Sequence, residues 1–184
     1  MNAPELVLLQ SETRLVSRGQ TGMTPTAKHF DLDWAAQVGA SVLFTGSGDA
    51  IGLGRRIHAL SGWRWGPFVV VDCGWPDAML EQRLFDLLRA DPDPEARREP
   101  QLRLLQAGTI FLHEVGALGG HHQARLAEAL TLASGSGERR GSRYRFMAST
   151  SQSLLQRVSA GTFDDRLFYR LNMLHVVLPR EPRA

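Results

Sequence analysis

The sequence predicts an α/β domain of three layers, in which five mostly parallel strands alternate with helices. Short apolar runs rich in β-branched residues recur along the chain, helical stripes lie between them, and turns rich in glycine or proline bound them. Elements that alternate at this spacing favour a parallel sheet with right-handed crossovers. Ligands of such sheets bind beyond the carboxyl ends of the strands, so candidate functional residues are sought there.

The first part of the chain is expected to be a leader over residues 1–38, packed on the edge of a main domain over 39–184. A short apolar strand at 41–45 enters a glycine-rich turn at 46–54, and helix is expected over 55–60. The run 68–72 is rich in valine, which favours a strand buried on both faces. Within the leader, one helical face is predicted from Phe30, Leu32, Trp34, Ala35 and Val38.

The second part begins after Pro76 with leucines spaced i, i+4, i+7 and i+8, which predict a helix. Three prolines among charged residues in 91–100 cannot continue a helix or occupy a central strand, so this stretch is expected to be an exposed loop. The leucine stripe is Leu80, Leu84, Leu87 and Leu88. Later elements are strands over 109–113, 144–149 and 174–178, helices over 123–132, 153–160 and 164–171, and a surface loop over 134–143.

Composition is that of an ordinary globular protein, with 43% hydrophobic and 22% charged residues. No apolar run approaches the roughly 20 residues of a membrane helix, and the first ten residues lack a signal-peptide pattern, so a cytoplasmic location is expected. Cys73 is the only cysteine and is expected to be a core thiol. Lys28 is the only lysine, so every other fixed positive side chain is an arginine.

Several segments, in order from Ser41 to Pro179, resemble the central AAA+ domain of NtrC-like activators of sigma-54 RNA polymerase. Ala107-Gly-Thr-Ile-Phe-Leu-His-Glu-Val-Gly116 is similar to that family's Walker B segment, G-G-T-L-F-L-D-E-I-G. The resemblance implies a P-loop NTPase-like fold. The other matching segments are Val42-Leu-Phe-Thr-Gly46, Arg55-Arg-Ile-His58, Pro67-Phe-Val-Val-Val-Asp-Cys73, Met79-Leu-Glu-Gln-Arg-Leu-Phe85 and Gly161-Thr-Phe-Asp-Asp-Arg-Leu-Phe-Tyr-Arg-Leu-Asn172.

The resemblance implies a Walker A loop after the first strand, where backbone amides and a lysine hold phosphates. The loop here is two residues shorter than the family's. Counting from Gly46 puts Gly52 at the lysine position, and counting back from Arg55 puts Ala50 there. Asp49 adds a negative charge inside the loop. A nucleotide-binding remnant is expected at Gly46, Ser47, Gly48 and Gly52.

The Walker B remnant is His113 and Glu114, where the family has Asp-Glu. Histidine is a poor ligand for magnesium, which prefers oxygen donors, so Glu114 alone is not expected to position the metal. Of the two arginines that the family motif offers to a neighbouring subunit, Asp164 replaces the first and Arg170 keeps the second. In the sensor strand Thr150 remains and Ser151 replaces asparagine, so Glu114, Arg170 and Thr150 are catalytic remnants.

Two larger parts of the family domain are expected to be absent. The segment 91–100 replaces the G-A-F-T-G-A loop that touches sigma-54. The chain ends at Ala184, soon after the position where the helical lid begins, so the lid subdomain is predicted to be missing.

Other polar clusters have simpler interpretations than catalysis. A zinc motif H-E-x-x-H starting at His113 needs histidine where Ala117 stands, so no metal site is expected, and His121 and His122 are predicted to begin a helix. Asp164, Asp165 and Arg166 resemble an acid cluster, but capping of a helix start is favoured. The basic group Arg139, Arg140, Arg143 and Arg145 is interpreted as a solvated loop in preference to a phosphate contact.

These features lead to a transcription-regulatory pseudo-ATPase related to sigma-54 activators, acting through association rather than hydrolysis. Its expected partners are itself or an intact sigma-54 activator, with no membrane and no direct DNA contact. No cofactor is expected beyond weak binding of ATP or ADP. The alternative is a weak ATP-binding protein or ATPase of the same family, and a third interpretation is a decayed gene product that still folds.

Overall fold

A computed structural model describes residues 32–89, 108–135 and 144–179 of the chain. Its five strands form one parallel sheet in the order β2-β3-β4-β1-β5, which confirms the predicted fold class. The strands are β1 Val42–Thr45, β2 Phe68–Asp72, β3 Gly108–His113, β4 Tyr144–Thr150 and β5 Leu174–Val177. The helices are α1 Leu32–Val38, α2 Ala50–Leu60, α3 Asp77–Leu80, α4 Asp86–Arg89, α5 Gly120–Gly135, α6 Leu154–Ser159 and α7 Asp165–Leu171.

The sheet is buried between two layers of helices, because its central strands are apolar on both faces. On one face, α1 and α2 pack over a cluster that includes Phe44, Phe111 and Met147. On the other face, the remaining helices cover a second cluster that includes Leu112 and Leu126. The three-layer prediction is therefore correct.

The helix predicted after Pro76 contains a turn of π-helix, Glu81–Phe85, between α3 and α4. Leu80 and Leu84 are fully buried, and Leu87 and Leu88 pack against the same cluster while partly buried. The predicted leucine stripe therefore does face the core.

The α1 helix lies where the sequence predicts a helical face. Of that face, Leu32 and Ala35 pack against the core, whereas Trp34 and Val38 do not. Ala35 and Ala36 are buried, whereas Trp34 and Val38 are 42% and 47% exposed. Small side chains face inward because α1 packs closely against α2. Residues 1–31, with Phe30 and Lys28, lie outside the described part of the chain.

Arg145 corrects the prediction of a solvated basic loop. It lies on β4, only 2% exposed, and donates to the carbonyl oxygens of Ala35 at 2.6 Å, Ala36 at 3.4 Å and Ala40 at 3.2 Å. Burial lowers its pKa to about 10. A loop interpretation fails because β4 carries Arg145 under α1, whose last carbonyls need donors.

Three predicted features fall on residues that the structure does not describe. They are the leader segment 1–31, the proline-rich stretch 91–100, and most of the loop 134–143 with Arg139, Arg140 and Arg143. Within the described ranges, no helix combines the length and apolar character needed to cross a membrane.

Candidate functional site

The candidate site lies at the carboxyl edge of the sheet, where β1, β3 and β4 end. Thr45 and Thr150 are register partners there, so the loop after β1 lies beside the end of β4. Glu114 follows β3 and bonds to Ser151 after β4. The fold thus brings together, at one edge, the segments predicted to be the Walker A and Walker B remnants and the predicted sensor residues.

The loop after β1 is shaped by its contact with the segment that follows β5. Gly46 has a φ of +107°, and a Cβ there would lie 2.3 Å from the carbonyl oxygen of Leu178. A Cβ on Gly48 would lie 3.2 Å from the Leu178 Cβ, and the Leu178 amide donates to Thr45 O at 2.7 Å. These glycines therefore allow close packing of the chain on itself.

The turn is shorter than predicted, because α2 begins at Ala50 rather than near Arg55. Asp49 caps the start of α2, and its Oδ1 accepts from the Gly52 amide at 2.7 Å. Gly52 consequently lies in the first turn of the helix. An acidic residue three positions before that glycine was the sequence signal that could have located this start.

His113 lies at the end of β3 and is held by a neighbouring strand. Its Nδ1 is 3.0 Å from the Ser149 Oγ on β4, and its carbonyl accepts from the Cys73 amide at 2.8 Å. Cys73 is buried, as predicted for a core thiol, and burial raises its pKa far above the ordinary value. The partner Ser149 carried no signal in the sequence, because only strand register places it beside His113.

Glu114 has the one left-handed backbone among the described residues other than glycine, with a φ of 50°. Its Oε2 accepts from the amide of Ser151 at 3.1 Å and from the Ser151 hydroxyl at 2.9 Å. The carboxylate is therefore turned toward the end of β4 and holds it. Only the second of these bonds depends on the serine side chain, because the first comes from the backbone amide.

Thr150 is buried and forms a local turn. Its Oγ1 accepts from the amide of Gln152 at 3.1 Å, and a Cβ on Gly116 would lie 3.1 Å from it. The threonine thus joins the end of β4 to the turn after Glu114. Ser47, in contrast, lies in an exposed part of the first loop.

Arg170 is not brought to the same edge. It lies half-buried in the last turn of α7, shortly before Leu174, which pairs with Val42 at the start of β1. Because all five strands are parallel, this position is toward the opposite edge of the sheet from Glu114. Within one chain, Arg170 and Glu114 are therefore separated.

Asp164 caps α7, as the sequence suggested. Its Oδ1 accepts from the Leu167 amide at 3.0 Å, and its Oδ2 pairs with Arg166 at 2.9 Å. The bond from Arg166 is the main reason that the pKa of this carboxyl lies below its usual value. Asp164 thus has a structural role at the start of α7.

His121 and His122 lie in the first turn of α5, as predicted. His122 stacks on Phe85 with ring centroids 5.4 Å apart, and its nitrogens face Asp77 at 3.6 Å and Glu81 at 3.4 Å. His122 therefore fastens α5 to α3 and to the π-helical turn that follows it. Over the described ranges, no three His, Cys, Asp or Glu side chains are arranged as a metal site.

A family model described as the Sigma-54 interaction domain matches residues 26–177. The acetoin catabolism regulatory protein of Cupriavidus necator is 35% identical over 73% of this chain and 21% of its own length. The transcriptional regulatory protein ZraR of Salmonella typhimurium is 30% identical over 88% of this chain and 39% of its own length. The chain thus spans well under half the length of these relatives.

Solved structures agree with the family match. NtrX from Brucella abortus, crystallised with ATP, has a TM-score of 0.62 and 26% identity over 80% of this chain and 35% of its own. The P-loop NTPase domain of the Sigma-54 transport activator from E. coli has a TM-score of 0.52 and 21% identity, over 75% of this chain and 95% of its own. The second likeness shows the fold alone.

Proposed function

Since the chain belongs to the sigma-54 interaction domain family of AAA+ proteins, we propose that it regulates transcription as a pseudo-ATPase, through association with other subunits rather than ATP hydrolysis. One observation carries the proposal. The side chains at the carboxyl edge that would meet a triphosphate and magnesium are those of Asp49, His113 and Glu114. Each of them is hydrogen-bonded to another group of the same chain.

The phosphate side of the site does not suit a triphosphate. A P-loop lysine acts as a point charge on the β- and γ-phosphates, and charge-assisted bonds of this kind contribute about 1.5–3 kcal/mol. The only lysine, Lys28, precedes β1 in the sequence, and the first loop carries Asp49 instead. Loss of the cation and gain of an anion both weaken phosphate binding.

The magnesium side does not suit the metal either. Magnesium requires near-octahedral coordination by oxygen atoms. An aspartate next to the catalytic glutamate normally supplies one of these oxygens. His113 offers nitrogen, and its Nδ1 faces Ser149. Glu114 is turned to Ser151, so neither side chain is directed by the chain toward a metal and an attacking water.

Association is the function that remains for a chain that keeps the family fold. A second copy or an intact sigma-54 activator is the proposed partner, and Arg170 is available to a neighbouring subunit because it lies away from its own Glu114. We place this activity in the cytoplasm, in a main domain over 39–184 with residues 1–38 as its leader. Direct DNA contact is not part of the proposal.

The test begins with titration of the purified chain by Mg-ATP in a thermal-shift assay, with phosphate release measured in parallel. A ligand at one hundred times its Kd would stabilise the domain by about 2.7 kcal/mol, so binding is readily seen. We expect no shift at millimolar Mg-ATP and no turnover. An intact activator of the same family is the positive control, and mixing it with this chain should change its ATPase rate.

A weak ATP-binding protein is the second candidate. It is favoured by the likeness to NtrX, which was crystallised with ATP and with ADP. A saturable Mg-ATP shift together with phosphate release above background in the wild-type chain would select this candidate and reject the pseudo-ATPase. An unchanged ATPase rate of the activator in the mixture would reject association as the mechanism.

A further inference from the structure

An exposed apolar patch lies where the ends of α1 and α2 meet. It consists of Val38, Leu60 and Trp65, with Trp63 as its floor. We infer that this patch is the docking surface for the leader of the same chain, and that the apolar run Leu6-Val-Leu-Leu9 covers it. The inference rests on the division into leader and main domain in the proposed function, and deepens it by naming the surface on which the leader lies.

The patch exposes three large apolar side chains close together in the fold. Val38 is 47% exposed at the end of α1, Leu60 is 50% exposed at the end of α2, and Trp65 is 61% exposed in the turn after α2. Soluble domains rarely expose a contiguous apolar surface unless it binds something, and tryptophan is among the residues most enriched at the centres of interfaces. These side chains are therefore typical of a surface that another segment covers.

Trp63 joins the two parts of the patch. Its Cη2 lies 2.9 Å from the position that a Cβ on Gly39 would take, so the end of α1 touches the turn after α2. That turn is closed by a bond from the Gly66 amide to Trp63 O at 2.9 Å. Trp65 is thus presented by a turn of fixed shape, which reduces the entropy lost when a segment binds it.

The leader is the segment that the chain itself brings to this surface. It joins α1 at Leu32, six residues before Val38. The 22 residues 10–31 separate α1 from the apolar run, and a segment of that length spans at most about 75 Å, so the run can reach the patch. A tethered segment has an effective concentration on the order of 1 mM, which favours it over a separate chain at micromolar concentration.

The charges beside the patch and beside the apolar run are complementary. Among residues 60–67 the one charged side chain is Arg64, whose guanidinium carbon lies 4.9 Å from the centre of the Trp65 ring. The apolar run is bounded by Glu5 and Glu12, and residues 1–13 contain no lysine or arginine. Opposite charges at the rim of an apolar contact favour this pairing over pairing with a basic segment.

The experiment is cysteine cross-linking in the full chain. Cys73 is the only native cysteine, and burial raises its pKa far above the ordinary value, so it does not compete for the reagent. The test variant combines Leu8→Cys with Leu60→Cys, and a short bismaleimide joins thiols that lie close together. At about 10 μM chain we expect internal links to exceed links between chains by about a hundredfold, because the two thiols share one chain.

Leu8→Cys combined with Leu155→Cys is the matched control. Leu155 is 59% exposed on α6, in the other helical layer, so this variant should link only at the background rate of two tethered thiols. If Leu60→Cys does not fold, Leu9→Cys combined with Val38→Cys tests the same patch from α1.

Mass spectrometry of a mixture of isotope-labelled and unlabelled chains separates internal links from links between chains. Preferential internal links in the patch variants support the inference. Links mainly between chains would assign the patch to a second copy and overturn it. Absence of a link, or an equal rate in the Leu155→Cys control, would overturn it as well.

The two proposals fail in different ways. Hydrolysis of Mg-ATP by the wild-type chain contradicts the pseudo-ATPase, whatever the cross-links show. A chain that is inert toward Mg-ATP and forms no preferential internal link contradicts only the docking of the leader.

Discussion

The two ends of strand β4 use polar side chains in opposite ways. Near its start, Arg145 is buried and supplies donors to three carbonyl oxygens at the end of α1. At its end, the buried Ser149 bonds to His113 and the exposed Ser151 bonds to Glu114, at the carboxyl edge of the sheet. The bonds of Arg145 are shielded from water. The bonds between Ser151 and Glu114 are exposed, so water can replace either partner.

Because the two groups of bonds differ in their exposure to water, the fold and the chemistry of the site can change independently. A buried carbonyl that loses its donor destabilises the protein by about 1–3 kcal/mol, because no water replaces the partner. An exposed serine or carboxylate that loses its partner turns to solvent at little loss. Substitutions at the carboxyl edge therefore alter ligand binding while the sheet and its helices persist.

The largest effect is expected for Arg145→Met. The substitution removes the donors to Ala35, Ala36 and Ala40, so the free energy of unfolding should fall by about 3–5 kcal/mol. Urea denaturation measures it. The exposed Arg56→Met on α2 is the control and should change stability by less than about 0.5 kcal/mol. If the free energy of unfolding falls by a similarly small amount in both variants, the buried bonds of Arg145 do not stabilise the fold more than exposed ones.

A second effect is expected in mild acid. Burial lowers the pKa of both His58 and His175 from 6.5, so below that pH the unfolded chain binds more protons than the folded one. Their contribution is complete above about pH 6.5 and is lost as the pH falls below it, by at most about 1.4 kcal/mol per pH unit for each histidine.

Denaturation between pH 7 and about 5 measures the slope, and His175→Gln should flatten it. Asp164 does not interfere, because its pKa is lowered from 3.8 and its contribution is lost only in stronger acid. A slope that is identical in the wild-type chain and in His175→Gln would contradict the assignment.

A third effect separates the two aspartate caps. Asp49→Ala and Asp164→Ala should each lower stability by about 1 kcal/mol, because each leaves a helix amide without its acceptor. Serine at either position should restore most of this loss. A markedly larger loss at Asp49 would mean that the first loop contributes to the core and is not an exchangeable edge.

The smallest effect is expected for Glu114→Gln. The amide keeps an oxygen that can accept from Ser151, and the site is exposed, so stability should change by less than about 0.5 kcal/mol. Phosphate release with Mg-ATP should stay at background in both proteins. A measurable wild-type rate that this variant abolishes would show that Glu114 is catalytic and would contradict the proposed function.

Local pattern predicted most of the elements. The valine run of β2, the leucine stripe after Pro76 and the aspartate at the start of α7 each have a short-range physical cause, so their structure follows from neighbouring residues. The start of α2 was missed because glycines suggested a turn, whereas the Asp49 carboxylate captures the Gly52 amide and begins the helix. The role of Arg145 was missed for a different reason, since its partners lie 105 to 110 residues away.

The fold class, the family and the residue types available where the strands end all follow from the amino-acid sequence. These depend on periodicity, turn residues and the order of short segments, all of which are local. The contact of Ser149 with His113, the bonds of Ser151 to Glu114 and the burial of Arg145 beneath α1 depend on the three-dimensional fold. Strand register and helix packing set those pairings, and a one-dimensional pattern does not contain the distances on which a hydrogen bond depends.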